Sequence, residues 1–422
     1  MSERFEIERV KTQNHGDSVF FFLLLLLAGV GTAVLFSSTY YTAELYEGDA
    51  LFFLKKRLAF LVLGSLAYLA ASRLSLVWLR RQVPFIILGS LLLLAATFLP
   101  GLGRTVMGGV RWIRIAGFSF QPSELAKVSL TLYLAAMLSK NEGRMDEPIN
   151  TVLPPLIMTA LFVGIVFFQN DFSTALFIFL LALAIFFVAN VRVVYFILIA
   201  VVTLPLTVIM LFTKEHRVER LITFLSPEMD PSGTGFQIIA ARDALMRGSF
   251  WGQGLGSGVK KLGALPEVHS DFLFASLGEE AGFFGVFFVL VLFLLLAIRG
   301  YYIALGCRDK FSYYLGFGLT SSILYQAFFN MAVVAGLVPA TGIPLPFFSA
   351  GGSSLLVTFI MCGLLQNIYR NQEVRDGEGS ETLQLFPDQS WMTQGWTYEG
   401  SRGSGDPLRF RVDPSLLEGR RE

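Results

Sequence analysis

Acids and bases that sit where apolar runs meet polar turns are the first candidates for chemistry, because ionisable groups at membrane depth are costly and usually functional. Four segments qualify. The first runs from Gly108-Gly-Val-Arg-Trp-Ile-Arg-Ile-Ala-Gly117 through Phe118-Ser-Phe-Gln-Pro-Ser-Glu-Leu-Ala-Lys127. Arg111 and Arg114 alternate with apolar residues, which predicts an interfacial strip with Trp112 in the headgroup zone. Pro122 suits a helix start and Ser123 a cap, while Glu124 and Lys127 are i, i+3 neighbours able to pair. That pair has two readings, an ion pair for packing or a direct substrate contact.

The second segment, Phe168-Gln-Asn-Asp-Phe-Ser-Thr-Ala175, is a polar corner in which Asp171 can cap the following helix. The third is a long loop over about 213–278. It opens with His216-Arg-Val-Glu-Arg220, where Arg217 and Arg220 fall i, i+3 apart if a helix continues there. The two guanidiniums could grip a diphosphate bidentately, or snorkel to lipid phosphates. Asp230-Pro-Ser-Gly-Thr-Gly-Phe-Gln237 and Gly252-Gln-Gly-Leu-Gly-Ser-Gly258 follow. The latter looks like a phosphate-cradling glycine pattern, but no strand is expected before it, so a dinucleotide site is rejected. Flexible backbone beside a ligand is its other use. The loop closes on Leu265-Pro-Glu-Val-His-Ser-Asp271 and runs into Phe272-Leu-Phe-Ala-Ser-Leu-Gly-Glu-Glu280. Asp271 falls on the first turn of a helix at the water boundary, with Glu279 about 80° around the helix from it and Glu280 about 180° away. Spacing leaves it equally a helix cap and a catalytic base.

The fourth segment spans Asn330 to Ser354. Pro339, Pro344, Pro346 and the Gly351-Gly352 pair forbid an uninterrupted helix, so the break either lines a wet cavity or serves as a hinge.

The elements that must position these residues follow from composition. Of 422 residues 54% are hydrophobic and only 15% charged, against roughly 25% charged in soluble domains. A net charge of +1 without a basic block argues against nucleic-acid binding. Three histidines and the cysteines Cys307 and Cys362 give no zinc spacing and no disulfide framework. The chain reads as an all-α polytopic membrane protein. Ten apolar runs are long enough to count as spans, near 18–40, 58–72, 84–100, 125–139, 152–168, 172–190, 193–212, 279–298, 313–337 and 347–369. The first follows Glu3, Glu6, Glu8 and Asp17 and has no small-residue cleavage site, so it reads as a retained span. A cytoplasmic N-terminus puts Arg4, Arg9, Lys11, Arg73, Arg80, Arg81, Lys140, Arg144, Arg192, Arg299, Arg308 and Lys310 inside, against Lys55, Lys56, Arg57, Arg104, Arg111 and Arg114 in short outer loops. Both termini are therefore expected in the cytoplasm. Residues 1–17 form an N-terminal tail, 18–370 the membrane domain with the large loop outside, and 371–422 a polar tail without a core.

Together the four segments resemble the SEDS family (shape, elongation, division, sporulation) of the RodA and FtsW type. The resemblance rests on RWI with QPSE-x-x-K, R-x-x-R with DP-x-G-x-G-[YF]-Q, LPE-x-H-[ST]-DF-[IL]-F with GEE, and P-x-TG-[IL]-PLPF-x-S-x-GGSS, in order across about 18–370. It implies ten spanning helices and a peptidoglycan glycosyltransferase that joins lipid II disaccharides outside the bacterial cytoplasmic membrane. It assigns Asp271 to the family's essential outer-loop acid, as general base or as ligand of a divalent cation such as Mg²⁺ or Mn²⁺. Arg217, Arg220, Lys127, Glu124, Arg111, Glu267, His269 and Ser353 stand in the matching motifs as expected substrate contacts. Implied partners are lipid II, the undecaprenyl-diphosphate-linked glycan, membrane lipid, a class B penicillin-binding protein and other divisome or elongasome proteins.

Asn170, Phe172 with Ser173, Phe236, Ser270, Ala281 and Ala350 depart from the family's usual residues without changing an acid or an arginine. Asn330 through Gly336 and the Lys261-Leu262 with Leu265-Pro-Glu stretch look closer to the division type, FtsW, than to the elongation type. Two rival functions share these residues: a flippase that moves lipid II across the bilayer, and a non-catalytic scaffold for wall synthesis.

Overall fold

The structure, a computed structural model, describes residues 16–106, 109–115, 118–144, 147–213, 215–229, 234–254, 256–258, 272–372, 396–397 and 411–412. The chain divides into two units, Met1–Glu373 and Val374–Glu422. In the second, the described residues form one short antiparallel ladder, β4 (Trp396–Thr397) with β5 (Arg411–Val412).

In the first unit each of the ten apolar runs carries a helix. The order is α1 (Ser18–Glu47), α2 (Phe52–Ala71), α3 (Leu76–Ala96), β1 (Gly103–Val106), β2 (Gly109–Ile115), β3 (Phe118–Phe120), α4 (Pro122–Lys140) and the one-turn α5 (Pro148–Thr151). Then come α6 (Leu153–Phe168), α7 (Phe172–Val188), α8 (Val193–Phe212), α9 (Glu215–Leu225), a 3-10 turn at Pro227–Met229, α10 (Thr234–Gly248), α11 (Leu273–Leu305), α12 (Lys310–Val334) and α13 (Gly352–Arg370). Among the described residues α1, α3, α11, α12 and α13 are long and apolar enough to cross a membrane, and α6 and α7 are shorter apolar helices. The chain is a polytopic helical membrane protein.

Helix starts follow the expected local chemistry. Asp17 accepts from the Phe20 amide, Ser75 from that of Trp78, Asp171 from that of Thr174 and Asp309 from that of Ser312. Pro122 opens α4, where its missing N–H costs nothing. α4, α12 and α13 are buried along most of their length, whereas α8 exposes the apolar residues Ile197, Leu198 and Val201.

Three features depart from a simple stack of helices. The predicted strip around Arg111 is the central strand of an antiparallel sheet, order β1-β2-β3, an addition to the all-α reading. α2 begins at Phe52, so Lys55, Lys56 and Arg57 lie in its first turns and not in a loop. Arg57 is 3% exposed and donates to the carbonyls of Phe347 and Ser349, satisfying groups that the helix break at 335–351 leaves without a ladder. That break includes Phe347 at φ 65, a left-handed conformation rare for a bulky residue.

α11 is kinked at Gly282, φ 65. The glycine-rich turn after α10 caps the kink: Gln253 and Gly254 amides donate to the Glu279 and Glu280 carbonyls, each at 3.0 Å. The Gly252–Gly258 pattern thus serves backbone packing in its described part. A side chain at Gly252 would meet the Glu280 carbonyl oxygen at 2.1 Å, which explains the glycine.

Candidate functional site

The first polar constellation ties α4 to α12 and to the helix break. Lys127, 2% exposed, donates to Glu124 Oε1 at 3.0 Å and to Gln326 Oε1 at 2.8 Å. The Lys127–Glu124 ion pair predicted from i, i+3 spacing closes at 2.9 Å. Gln326 passes the chain on, its Nε2 donating to the Pro344 carbonyl and to Ser354 Oγ. Asn330 Nδ2, one turn further along α12, donates to the Ile343 carbonyl. Two hydrogen bonds and the ion pair compensate the buried Lys127 charge, while Glu124 Oε2 has no hydrogen-bond partner among the described residues. Nearby, the buried Ser123 and Ser353 hydroxyls have no hydrogen-bond partner among the described residues.

The second constellation is a cavity of about 250 Å³ whose lining includes Arg111, Asp171, Phe177, Arg220 and the stretch Val338 to Thr341. Arg111 Nη1 lies 3.4 Å from Asp171 Oδ2. Gln121 Nε2 reaches the same oxygen at 3.3 Å, while Oδ1 caps α7. Asp171 therefore performs the predicted capping and also anchors an arginine from β2. Asn170, at φ 61, makes the left-handed corner that turns α6 into α7, a conformation asparagine tolerates.

An apolar groove of about 550 Å³ between α6, α7 and α8 adjoins the cavity, the two sharing Phe172 and Leu176 as wall residues. The groove wall is Ala, Val, Leu, Ile, Phe and Gly apart from Thr159 and Thr203.

Of the residues singled out from sequence, Arg111 and Arg220 come together in this cavity. Glu124 and Lys127 form the buried network behind it, and Ser353 sits on the first turn of α13. Arg217 is placed on α9 with Arg220, its side chain outside the described set. Asp271, Glu267 and His269 lie outside the described residues; Phe272 and Leu273, which follow Asp271, are buried. Glu280, buried, accepts a 2.6 Å hydrogen bond from Ser37 of α1.

The chain matches the family model described as cell cycle protein, FtsW/RodA/SpoVE, over residues 17–374. It belongs to this family. The probable peptidoglycan glycosyltransferase FtsW of Borreliella burgdorferi is 40% identical over 349 residues, covering 83% of this chain and 95% of the relative. The probable peptidoglycan glycosyltransferase FtsW of Geobacter sp. strain M18 is 38% identical over 352 residues, 83% and 96% covered. Among solved structures, a chain from a peptidoglycan synthase complex that coordinates polymerization and crosslinking superposes with TM-score 0.71 at 29% identity, over 85% of this chain and 98% of that one. The Thermus thermophilus rod shape determining protein RodA gives 0.60 at 27%, over 85% and 97%.

In this FtsW/RodA chain the sequence reading missed the Arg111–Asp171 pair and the burial of Arg57. Both join residues far apart in sequence, so no local spacing announces them. The donor set also bears on a divalent cation. Among the described residues the cavity offers one carboxylate, Asp171, which already answers Arg111, Gln121 and the Thr174 amide. These residues do not fit a hard cation that asks for several free oxygen ligands.

Proposed function

We propose that this peptidoglycan glycosyltransferase of cell-wall synthesis polymerises lipid II into glycan strands at the outer face of the bacterial cytoplasmic membrane. All ten apolar helices cross, both termini lie in the cytoplasm, and the sheet-bearing end of the bundle faces out. The division-type relatives favour a role in cell division. The observation that carries the reading is the apolar groove lying next to the cavity of Arg111 and Arg220, with Phe172 and Leu176 in both walls. A polyprenyl chain fills the groove, and its diphosphate meets cations able to bind phosphate oxygens bidentately.

The reaction asks for two things. The acceptor sugar hydroxyl must lose its proton as it attacks the anomeric carbon, and Asp271, by its motif, is the base that takes it. The bond from that carbon to the diphosphate oxygen breaks, and the electron pair leaves with undecaprenyl diphosphate. Arg220, with Arg217 on the same helix and Arg111 across the cavity, offsets the charge that builds there. Attack opposite the leaving group inverts the α-linked donor to a β-1,4 bond. Glu267, His269 and Ser353 complete the expected substrate contacts, and Lys127 with Glu124 supports the cavity wall from behind. A class B penicillin-binding protein crosslinks the strands.

The test is glycan-strand formation from lipid II by the purified chain with its partner transpeptidase. Asp271→Asn should abolish polymer while leaving the protein folded in the membrane. Full activity of that variant removes Asp271 as base. Vesicles in which lipid II headgroups change sides without polymer formation would favour the flippase instead.

A further inference from the structure

We propose that Ser37 and Ser38 of α1 are positioning residues for the polymerisation: they fix the first turns of α11, which the chain enters directly from Asp271. α11 is two helices joined at a break. Its first stretch ends at Gly282, φ 65 and ψ −164, and the longer stretch runs on to Leu305. Every residue from Leu273 to Glu280 is buried. The turn after α10 answers the broken ladder on its far side too, where the Phe283 and Phe284 amides donate to the Ser249 and Phe250 carbonyls at 2.9 and 3.3 Å. Those bonds satisfy backbone groups at the break. Side chains of α1 hold the two stretches at one angle.

α1 is a single 30-residue helix that runs antiparallel to α11 past the break. Near one end, Ser37 Oγ donates to Glu280 Oε2 at 2.6 Å and Ser38 Oγ lies 2.8 Å from Ser276 Oγ, both on the short first stretch. At the other end, Asp17 Oδ2 accepts from Arg299 Nε at 2.6 Å, on the long stretch. Asp17 to Ser38 is 21 residues, about 30 Å at the helical rise, so α1 spans the bundle as a strut pinned to both halves of a broken helix. Its middle is pressed on the helix break, since a side chain at Gly31 would collide with the Phe347 carbonyl oxygen. Ser38, Ser276 and Glu280 are all buried, so water does not replace a hydrogen bond lost there. Asp271 is bonded to Phe272, the cap residue of the first stretch, and a tilt of that stretch carries the acid with it.

This inference rests on the polymerase reading, under which Asp17 lies at the cytoplasmic end of α1 and Asp271 at the outer face. The strut then links the two sides: disturbing its inner anchor alters the outer turns about 30 Å away.

The experiment follows hydrogen exchange in the full chain in phosphatidylcholine nanodiscs and, on the same samples, polymerisation with the partner transpeptidase. In the combined Ser37→Ala and Ser38→Ala variant the amides of Leu273 to Ala281 should exchange at least about tenfold faster, with α12 and α13 unchanged. Asp17→Asn, which keeps the helix cap and removes the charge, should speed the same outer amides by a smaller factor. Binding of a fluorescent short-chain lipid II analogue counts competent chains. Per competent chain, kcat of the double variant should fall about tenfold at unchanged KM. Ser37→Thr retains the hydroxyl and should keep most of the kcat that Ser37→Ala loses. Unchanged exchange at the first turns in the double variant or in Asp17→Asn, or unchanged kcat per competent chain, overturns the proposal. So do equal losses in Ser37→Thr and Ser37→Ala, and so does faster exchange shared by α12 and α13, which reports general loosening. A wild type that makes no polymer with its partner defeats the polymerase reading alone, because exchange is read without turnover.

Discussion

The Lys127 ammonium lies 5.1 Å from the centroid of the Phe177 ring, and that same ring lines the cavity of Arg111 and Arg220. A buried cation therefore backs the aromatic wall of the candidate site, while its hydrogen-bond partners, Glu124 and Gln326, are not among the residues that line the cavity. The pair works as a support for the site's shape, and its removal tests that role.

Lys127→Met should destabilise the protein by about 3–5 kcal/mol, because the Glu124 carboxylate is left buried without its counter-charge. Thermal unfolding in detergent measures this. The double variant with Glu124→Gln should recover a large part of the loss. A double variant as unstable as the sum of the two single ones shows that the side chains are not coupled.

Arg57→Leu should cost about 1–3 kcal/mol for each carbonyl of the helix break that it orphans. Those are the carbonyls of Phe347 and Ser349. Arg57→Lys, which keeps charge but loses the fork, should recover part of the stability. Equal melting temperatures for Leu and wild type would mean that the break holds its shape without the guanidinium.

Gly252 and Gly256 make a controlled comparison, at φ 79 and φ 83. Alanine at Gly256 meets no atom of the described residues within 4 Å, so against them only the left-handed backbone cost of about 1–2 kcal/mol applies. Alanine at Gly252 adds a clash with the Glu280 carbonyl, which is backbone and cannot swing aside. The Gly252→Ala variant should therefore melt well below Gly256→Ala. The reverse order would show that the turn does not cap the α11 kink.

Asp171→Asn separates capping from charge. The amide oxygen can still accept from the Thr174 amide, so the cap survives, and the stability cost of about 1–3 kcal/mol comes from the largely buried Arg111 left without its carboxylate. Arg111 loses its counter-charge, and KM for lipid II should shift while the folded protein persists. Arg220→Ala should raise KM about tenfold with its larger effect at low salt, as expected for a cation that meets a diphosphate. Unchanged steady-state kinetics in both variants would move the substrate away from this cavity.

The helical membrane fold was legible in the amino-acid sequence because bilayer thickness sets one length scale, and apolar runs of about 20 residues declare themselves without any partner. So did the cap at Asp171 and the Glu124–Lys127 pair, whose partners lie within one helical turn. Order and spacing of the motifs were enough to indicate the family. Long-range relationships were not readable. Arg57 reaches across to Phe347 and Ser349, and Arg111 to Asp171, through contacts set by how helices pack and not by any local period. The glycine run after α10 carried a phosphate-like pattern that tertiary structure turned into a cap for a kinked helix, since released carbonyls must find donors. Which side chains share a cavity was likewise decided in three dimensions: strand alternation sends Arg111 and Trp112 into separate spaces, and only the packed bundle shows that both spaces exist.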